Sequence, residues 1–226
     1  MNIVTFASRK GGSGKSTLTA HLAVHACKPS RRLLLIDADS QGSLTIWHQI
    51  RGRFEPPLKN GAGGIASILD WAQREGIEWV LIDTPPNMSA VVSEAIRAAT
   101  LVVVPARLSL FDLAAVRETI HVARELGTPY AVIMNAVPPR RDGAETAFVK
   151  RARDVLAQLN VPVWNGRITH RAAYYLAIES GEGAREYDND PQAVAEIADL
   201  WSAIERSVKA INGMRRAPDL MHRIAS

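Results

Sequence analysis

The run Arg9-Lys10-Gly11-Gly12-Ser13-Gly14-Lys15-Ser16-Thr17 constrains this chain more than any other stretch. It follows the apolar segment Ile3–Ala7 and precedes Thr17–His25, whose pattern predicts a helix. Glycines let successive backbone N–H groups turn toward one centre and let an anion approach closely. A helix start just behind them adds partial positive charge. Strand, glycine-rich loop and helix in that order make a phosphate cradle. Gly11, Gly12, Ser13, Gly14, Lys15, Ser16 and Thr17 are then nucleotide-binding residues. Lys15 is placed to reach β- and γ-phosphates, and the Ser16 hydroxyl to ligate Mg²⁺. The alternative, a glycine-rich turn beside a basic patch, does not need the strand before it and the helix after it.

The rest of the chain fits a cradle of this kind. Ile3–Ala7, Leu33–Ile36, Trp79–Ile82, Leu101–Val104 and Tyr130–Met134 read as strands buried on both faces, with Val161–Trp164 a weaker sixth. Helical spacing lies between them. In Phe148–Leu159, Phe148, Ala152, Val155, Leu156 and Leu159 form one stripe. Asp190 suits an N-cap, Pro191 the first helical position and Gly213 the exit of the last long helix, with Leu200, Trp201, Ile204, Val208 and Ile211 on its apolar face. Arg51–Gly64 reads as a loop. The expected fold is α/β, a single-domain P-loop NTPase whose mostly parallel twisted sheet is covered by helices on both faces. The domain spans 1–213, and 214–226 is expected to be a loosely ordered tail.

At 226 residues the chain suits one sizeable core. No apolar run approaches the ~18 residues of a membrane span, and the N-terminus does not read as a signal peptide. Cys27 has no second cysteine to pair with, which suits a cytoplasmic setting and a small apolar role.

Two further segments deliver carboxylates to strand ends. Leu33–Ile36 runs into Asp37-Ala38-Asp39-Ser40-Gln41-Gly42, and Trp79–Ile82 runs into Asp83-Thr84-Pro85-Pro86. Ligands of parallel sheets bind at such carboxyl ends. A charge delivered there by a buried strand needs a reason, because desolvation is costly. Mg²⁺ and an attacking water supply one; capping of the following helix supplies another, and the two are compatible for Asp39.

The loop departs from the ordinary phosphate-loop pattern: Arg9 stands where the first glycine is usual, and Lys10 follows. In this it resembles the deviant loop of the ParA/MinD family of ATPases, and the segment from Asp37 to Gln41 resembles that family's Asp-x-Asp-x-Gln motif. The resemblance covers nearly the whole chain. It implies that ATP is hydrolysed, with weak intrinsic turnover, and that Lys10 crosses a homodimer interface to the partner's nucleotide, where it stabilises charge on the transferring phosphoryl group. It makes Lys10, Lys15 and Asp39 catalytic, Asp39 acting on the hydrolytic water. Asp37 and Asp83 support Mg²⁺ through water, and Thr84, Pro85 and Pro86 form a γ-phosphate switch. Asn135 matches a position that often contacts adenine, though an Asn at a turn is equally ordinary. Arg167–Arg171 lies where the family closes over the base. The Asn-Lys-x-Asp string of guanine readers does not occur, which favours ATP.

The short spacing between the second and third motifs, and the strings Ser43–Trp47 and Ile168–Tyr174, resemble the small ParF-type plasmid-partition proteins. That branch implies ATP-dependent dimers on nonspecific DNA, nucleoid association, and a ParB-like or adaptor protein that stimulates hydrolysis. The net charge of +4 permits DNA contact without demonstrating it. Arg171, Arg206, Lys209, Arg215 and Arg216 are the candidate phosphate contacts, with Arg140, Arg141, Lys150, Arg151 and Arg153 behind them. Three other outcomes remain open. Membrane cycling in the manner of MinD needs an amphipathic C-terminal helix, which Pro218 interrupts. ATP-dependent activation of a small molecule fits poorly with Lys10. A DNA-transfer accessory ATPase would share the chemistry.

Overall fold

The computed structural model describes the backbone of residues 1–140, 144–187 and 190–224, and side chains of the same residues except 110–113 and 216–224. Six strands form one sheet: β1 (Asn2–Phe6), β2 (Leu33–Asp37), β3 (Leu58–Asn60), β4 (Trp79–Asp83), β5 (Leu101–Ala106) and β6 (Tyr130–Met134), in the order β3-β2-β4-β1-β5-β6. Every pairing is parallel. Between them run α1 (Lys15–Ala26), α2 (Ser43–Arg51), α3 (Ala66–Arg74), α4 (Ala90–Ala98), α5 (Leu110–Glu125) and α6 (Ala147–Gln158). The chain ends in α7 (Ala172–Glu179), α8 (Ala184–Tyr187) and α9 (Pro191–Ile224).

Strand residues alternate between two helical layers. Val4, Phe6, Leu33, Leu35, Leu81, Val103 and Ile133 pack with α1, α7, α8 and α9. Ile3, Leu34, Ile36, Val80 and Ile82 pack with α3 and α4, while Val102, Val104, Val132 and Met134 pack with α4, α5 and α6. Burial on both sides is why these strands read as unbroken apolar runs. The α/β expectation stands.

Several local expectations change. The sixth strand is β3, inside the stretch read as a loop. It is three residues long, lies on the sheet edge and pairs Leu35 with Leu58 through Asp37 with Asn60, too short to show a period. Val161–Trp164 makes a single bridge, Val132 with Val163, and Pro162 has no N–H to extend it. On α6, Phe148 is exposed and Val149 takes its place in the core. Gly213 does not end α9, whose backbone stays helical to Ile224. Asp190 does cap it, its carboxylate accepting the Gln192 and Ala193 N–H groups at 3.0 and 3.1 Å. Cys27 is half-buried just beyond α1, and burial raises its thiol pKa. Among the described residues no helix is long and apolar enough to cross a membrane.

Candidate functional site

The parallel register puts Asp83 level with Phe6 on one side and Asp37 on the other. The chemistry of three distant segments therefore meets at one row of the sheet. Residues 7–14 leave β1 there and turn into α1, with Gly12 and Gly14 at positive φ (70° and 100°). Gly14 is crowded as well: a Cβ on it would displace the Asn135 side-chain amide.

Lys15 opens α1 and is buried, its Nζ donating to the carbonyls of Ser8 and Lys10 at 3.3 and 3.4 Å. Burial lowers its pKa, against the opposing pull of Asp83 and Asp39. Asp83 is fully buried, and neither carboxylate oxygen has a hydrogen-bond partner of good geometry. Burial pushes its pKa up to about 7; Asp37 and Asp39 add to this, while Ser16 and Lys15 oppose it. The Ser13 hydroxyl, beneath the loop, is a second buried polar group without a partner. Orphaned buried acceptors are rare in folded proteins, and Asp83 beside Ser16 is the donor set a magnesium ion takes.

Asp37 differs from Asp83. Its Oδ2 accepts the Thr45 N–H (2.8 Å) and hydroxyl (2.7 Å), and its Oδ1 accepts the Asp39 N–H (3.2 Å). It braces the start of α2 from the sheet, so the capping alternative is realised here. Asp39 is half-buried, accepts the Gln41 N–H at 2.9 Å and faces the same cavity. The Thr84 hydroxyl donates to the Phe6 carbonyl at 2.8 Å, pinning the turn after β4 to β1, and Pro86 lines the cavity.

That cavity, about 430 Å³, runs from Gly11–Thr17 past Asn135 to the segment Ile168–Arg171 and on to Tyr174 and Tyr175. Asn135 uses its amide to hold the loop, donating to the Ser13 carbonyl at 2.7 Å. The 168–171 segment follows β6: the Ile168 N–H donates to the Met134 carbonyl, the Val137 N–H to the Ile168 carbonyl and the His170 N–H to the Val137 carbonyl. Below it, buried His21 donates from Nε2 to the Tyr174 carbonyl (3.2 Å) and accepts the Ala184 N–H at Nδ1 (3.0 Å).

The basic candidates separate. Arg206, Lys209 and Arg215 are exposed along α9. Arg171 is tied to Asp190, Gln192 and Glu196 and has 19% of its side chain exposed. Arg153 is paired with Glu145, whereas Lys150 and Arg151 are exposed. The Arg216 side chain and Arg141 lie outside the described residues. Arg9, in the glycine position, pairs with Glu118 of α5 at 2.6 Å.

Four residues of this site were not singled out from the sequence. Thr45 and Tyr174 sit inside strings already noted. Arg107, an exposed lining residue, stands just past β5, the same kind of rim position as Asp37 and Asp83. Glu196 is a carboxylate set among Ala193, Ile197 and Leu200 on the buried side of α9.

The family model of the CobQ/CobB/MinD/ParA nucleotide binding domain matches residues 4–184. "Maintenance of carboxysome distribution protein A" of Gloeobacter kilaueensis is 31% identical over 211 residues, covering 87% of this chain and 94% of that protein. "Chromosome partitioning protein ParA" of Caulobacter vibrioides is 24% identical over 234 residues, covering 83% and 88%. Among solved structures, an ATP complex of Cyanothece McdA superposes with a TM-score of 0.66 at 18% identity over 94% of this chain and 96% of that one. MinD of Aquifex aeolicus gives 0.71 at 19% over 91% and 97%. By the family model over residues 4–184 and the relative 31% identical over most of both chains, the chain belongs to the ParA/MinD family of nucleotide-binding ATPases.

Proposed function

We propose that this chain is a ParA-type ATPase that dimerises around ATP, binds DNA without sequence preference, and releases it on partner-stimulated hydrolysis. The observation that carries the chemistry is the buried Asp83 carboxylate, unpartnered beside Ser16 and Lys15, with Asp39 facing the same cavity. Lys15 holds the β- and γ-phosphates. Asp39 orients a water whose oxygen attacks the γ-phosphorus as the bond to the bridging oxygen breaks, giving ADP and phosphate. Ser16 directly, and Asp83 and Asp37 through water, are the residues that would hold Mg²⁺. When bound, that ion neutralises charge on the β- and γ-phosphates. Lys10, exposed at the rim, completes the partner's site in the dimer.

The exposed Arg206, Lys209 and Arg215 of α9 support DNA binding through phosphates. The relatives position chromosomes and carboxysomes by their names, and this chain's cargo is of that kind, a DNA locus, plasmid or protein assembly. A second reading, membrane cycling, draws on α9 staying helical through Gly213 and Pro218.

Binding to nonspecific DNA and to anionic liposomes, each with ATP, ADP or no nucleotide, separates the two. ATP-dependent, salt-sensitive DNA binding without liposome binding is expected. Liposome retention with no DNA shift would sink the DNA reading. Asp39→Ala should keep ATP and accumulate as dimer by light scattering. Lys10→Ala should bind ATP weakly and lose turnover; a fully active variant removes the cross-interface role.

A further inference from the structure

The short segment 168–171, which runs beside β6 and bonds through its backbone to Met134 and Val137, walls one end of the cavity. Ile168, Thr169, His170 and Arg171 line it, with Tyr174 and Tyr175 beyond. The His170 and Tyr175 rings stand 5.6 Å apart at the rim. This wall faces Gly14 and Lys15 across the cavity, so a nucleotide held by its phosphates at the loop would lay its base against it.

Beyond these backbone bonds and the pairing of Arg171 with Asp190 and Gln192, one side chain gathers the wall's remaining ties. Glu196 Oε2 accepts the Thr169 N–H at 2.9 Å and the Tyr174 hydroxyl at 2.9 Å. Its Oε1 accepts the Thr169 hydroxyl at 2.6 Å and Arg171 Nη2 at 3.0 Å. Thr169 and Tyr174 are buried, and the Glu196 side chain is 17% exposed. Four donors from three residues of the wall thus converge on one carboxylate of another element. Burial alone would raise the Glu196 pKa; the bonds from Arg171, Thr169 and Tyr174 outweigh it and hold the carboxyl below its usual range.

We propose that Glu196 is a positioning residue for the nucleobase: by binding Thr169, Arg171 and Tyr174 together, it holds the 168–171 segment in place as the base-side wall and couples it to α9. The proposal rests on the nucleotide-site reading. A glutamine in its place keeps the shape but turns one acceptor oxygen into an N–H₂ donor. Whichever oxygen it replaces, that donor would face a group that can only donate, the Thr169 N–H or the Arg171 guanidinium, so the wall loses at least one anchor.

The test compares ATP with inorganic tripolyphosphate, which has the phosphates and no base. Calorimetric titrations with magnesium use the full chain and its Glu196→Gln variant, with melting curves to confirm folding. The expected result is an ATP Kd raised about tenfold in the variant, tripolyphosphate within about twofold, and partial recovery in Glu196→Asp. Equal weakening of both ligands would make Glu196 a general structural brace and overturn the proposal. So would unchanged ATP binding in a folded variant, or a native chain that binds tripolyphosphate as tightly as ATP. A native chain that binds neither ligand would refute the nucleotide site itself.

Discussion

The two ends of the cavity are built by different means. At the phosphate end, position follows from backbone register: Phe6, Asp83 and Asp37 lie in one row, and the loop leaves the sheet at that row. At the base end, backbone bonds to Met134 and Val137 are joined by side chains reaching between elements: Glu196 to Thr169, and His21 to Tyr174 and Ala184. A row of parallel strands can shift only as a whole. A wall whose side-chain ties converge on Glu196 and His21 can be loosened by a single substitution. The phosphate end is therefore rigid and general for nucleotides, and the base end is where selectivity and adjustment reside.

Substitutions can break this contrast. The largest effect should come from Lys15→Ala, which removes the buried ammonium of the phosphate end. The ATP Kd should rise about a hundredfold, read by calorimetry. A loss no greater than that of Glu196→Gln would mean the two ends contribute alike.

Gly14→Ala comes next. The new Cβ meets Asn135 Nδ2, and φ of 100° is strained for any L side chain. A stability loss of about 3 kcal/mol is expected in urea unfolding, with the Asn135-to-Ser13 bond broken. A variant of native stability would show that the loop is softer than its register implies.

His21 sharpens the comparison from the other end. Burial lowers its pKa from 6.5 to about 4, so the unfolded chain binds more protons between those values. Stability is then fully present above pH 6.5 and is lost as pH falls toward 4, by about 3 kcal/mol from this group. Urea midpoints across that window should fall less steeply in His21→Gln than in the native chain. Parallel slopes would remove His21 from the support of the wall.

The smallest effect belongs to Thr45→Val. It deletes the hydroxyl bond to Asp37 and leaves the Thr45 N–H in place. A cost of about 1 kcal/mol is expected, with ATP binding little changed. A large drop in ATP affinity would show that side chains, not register, position the phosphate end after all.

The same contrast governs what could be read in advance. Phosphate-end residues lie at the ends of apolar runs, so a one-dimensional pattern marks Lys15, Asp37, Asp39 and Asp83. Glu196 is 27 residues from Thr169 and Tyr174 is 153 from His21; no spacing rule joins such pairs. Asn135 was marked as a residue of the site but meets the Ser13 carbonyl, a contact that depends on how the loop bends back. The short edge strand β3 was missed because three residues carry no period. The continuation of α9 through Gly213 was missed because a single glycine costs a helix only ~1 kcal/mol and does not by itself end one.

The placement of β4 has a consequence for how the molecule is made. It lies between β1 and β2, which never pair with each other. As the chain emerges from the ribosome, β1 and β2 must wait as separate unpaired edges until residues 79–83 arrive to fill the gap. Pairing over that separation is slow, and the waiting edges are exposed to other chains. The phosphate loop, although it is synthesised first, acquires its facing carboxylate only at that insertion. A nascent chain halted before β4 should hold ATP poorly, so nucleotide capture would report that the central strand has been threaded.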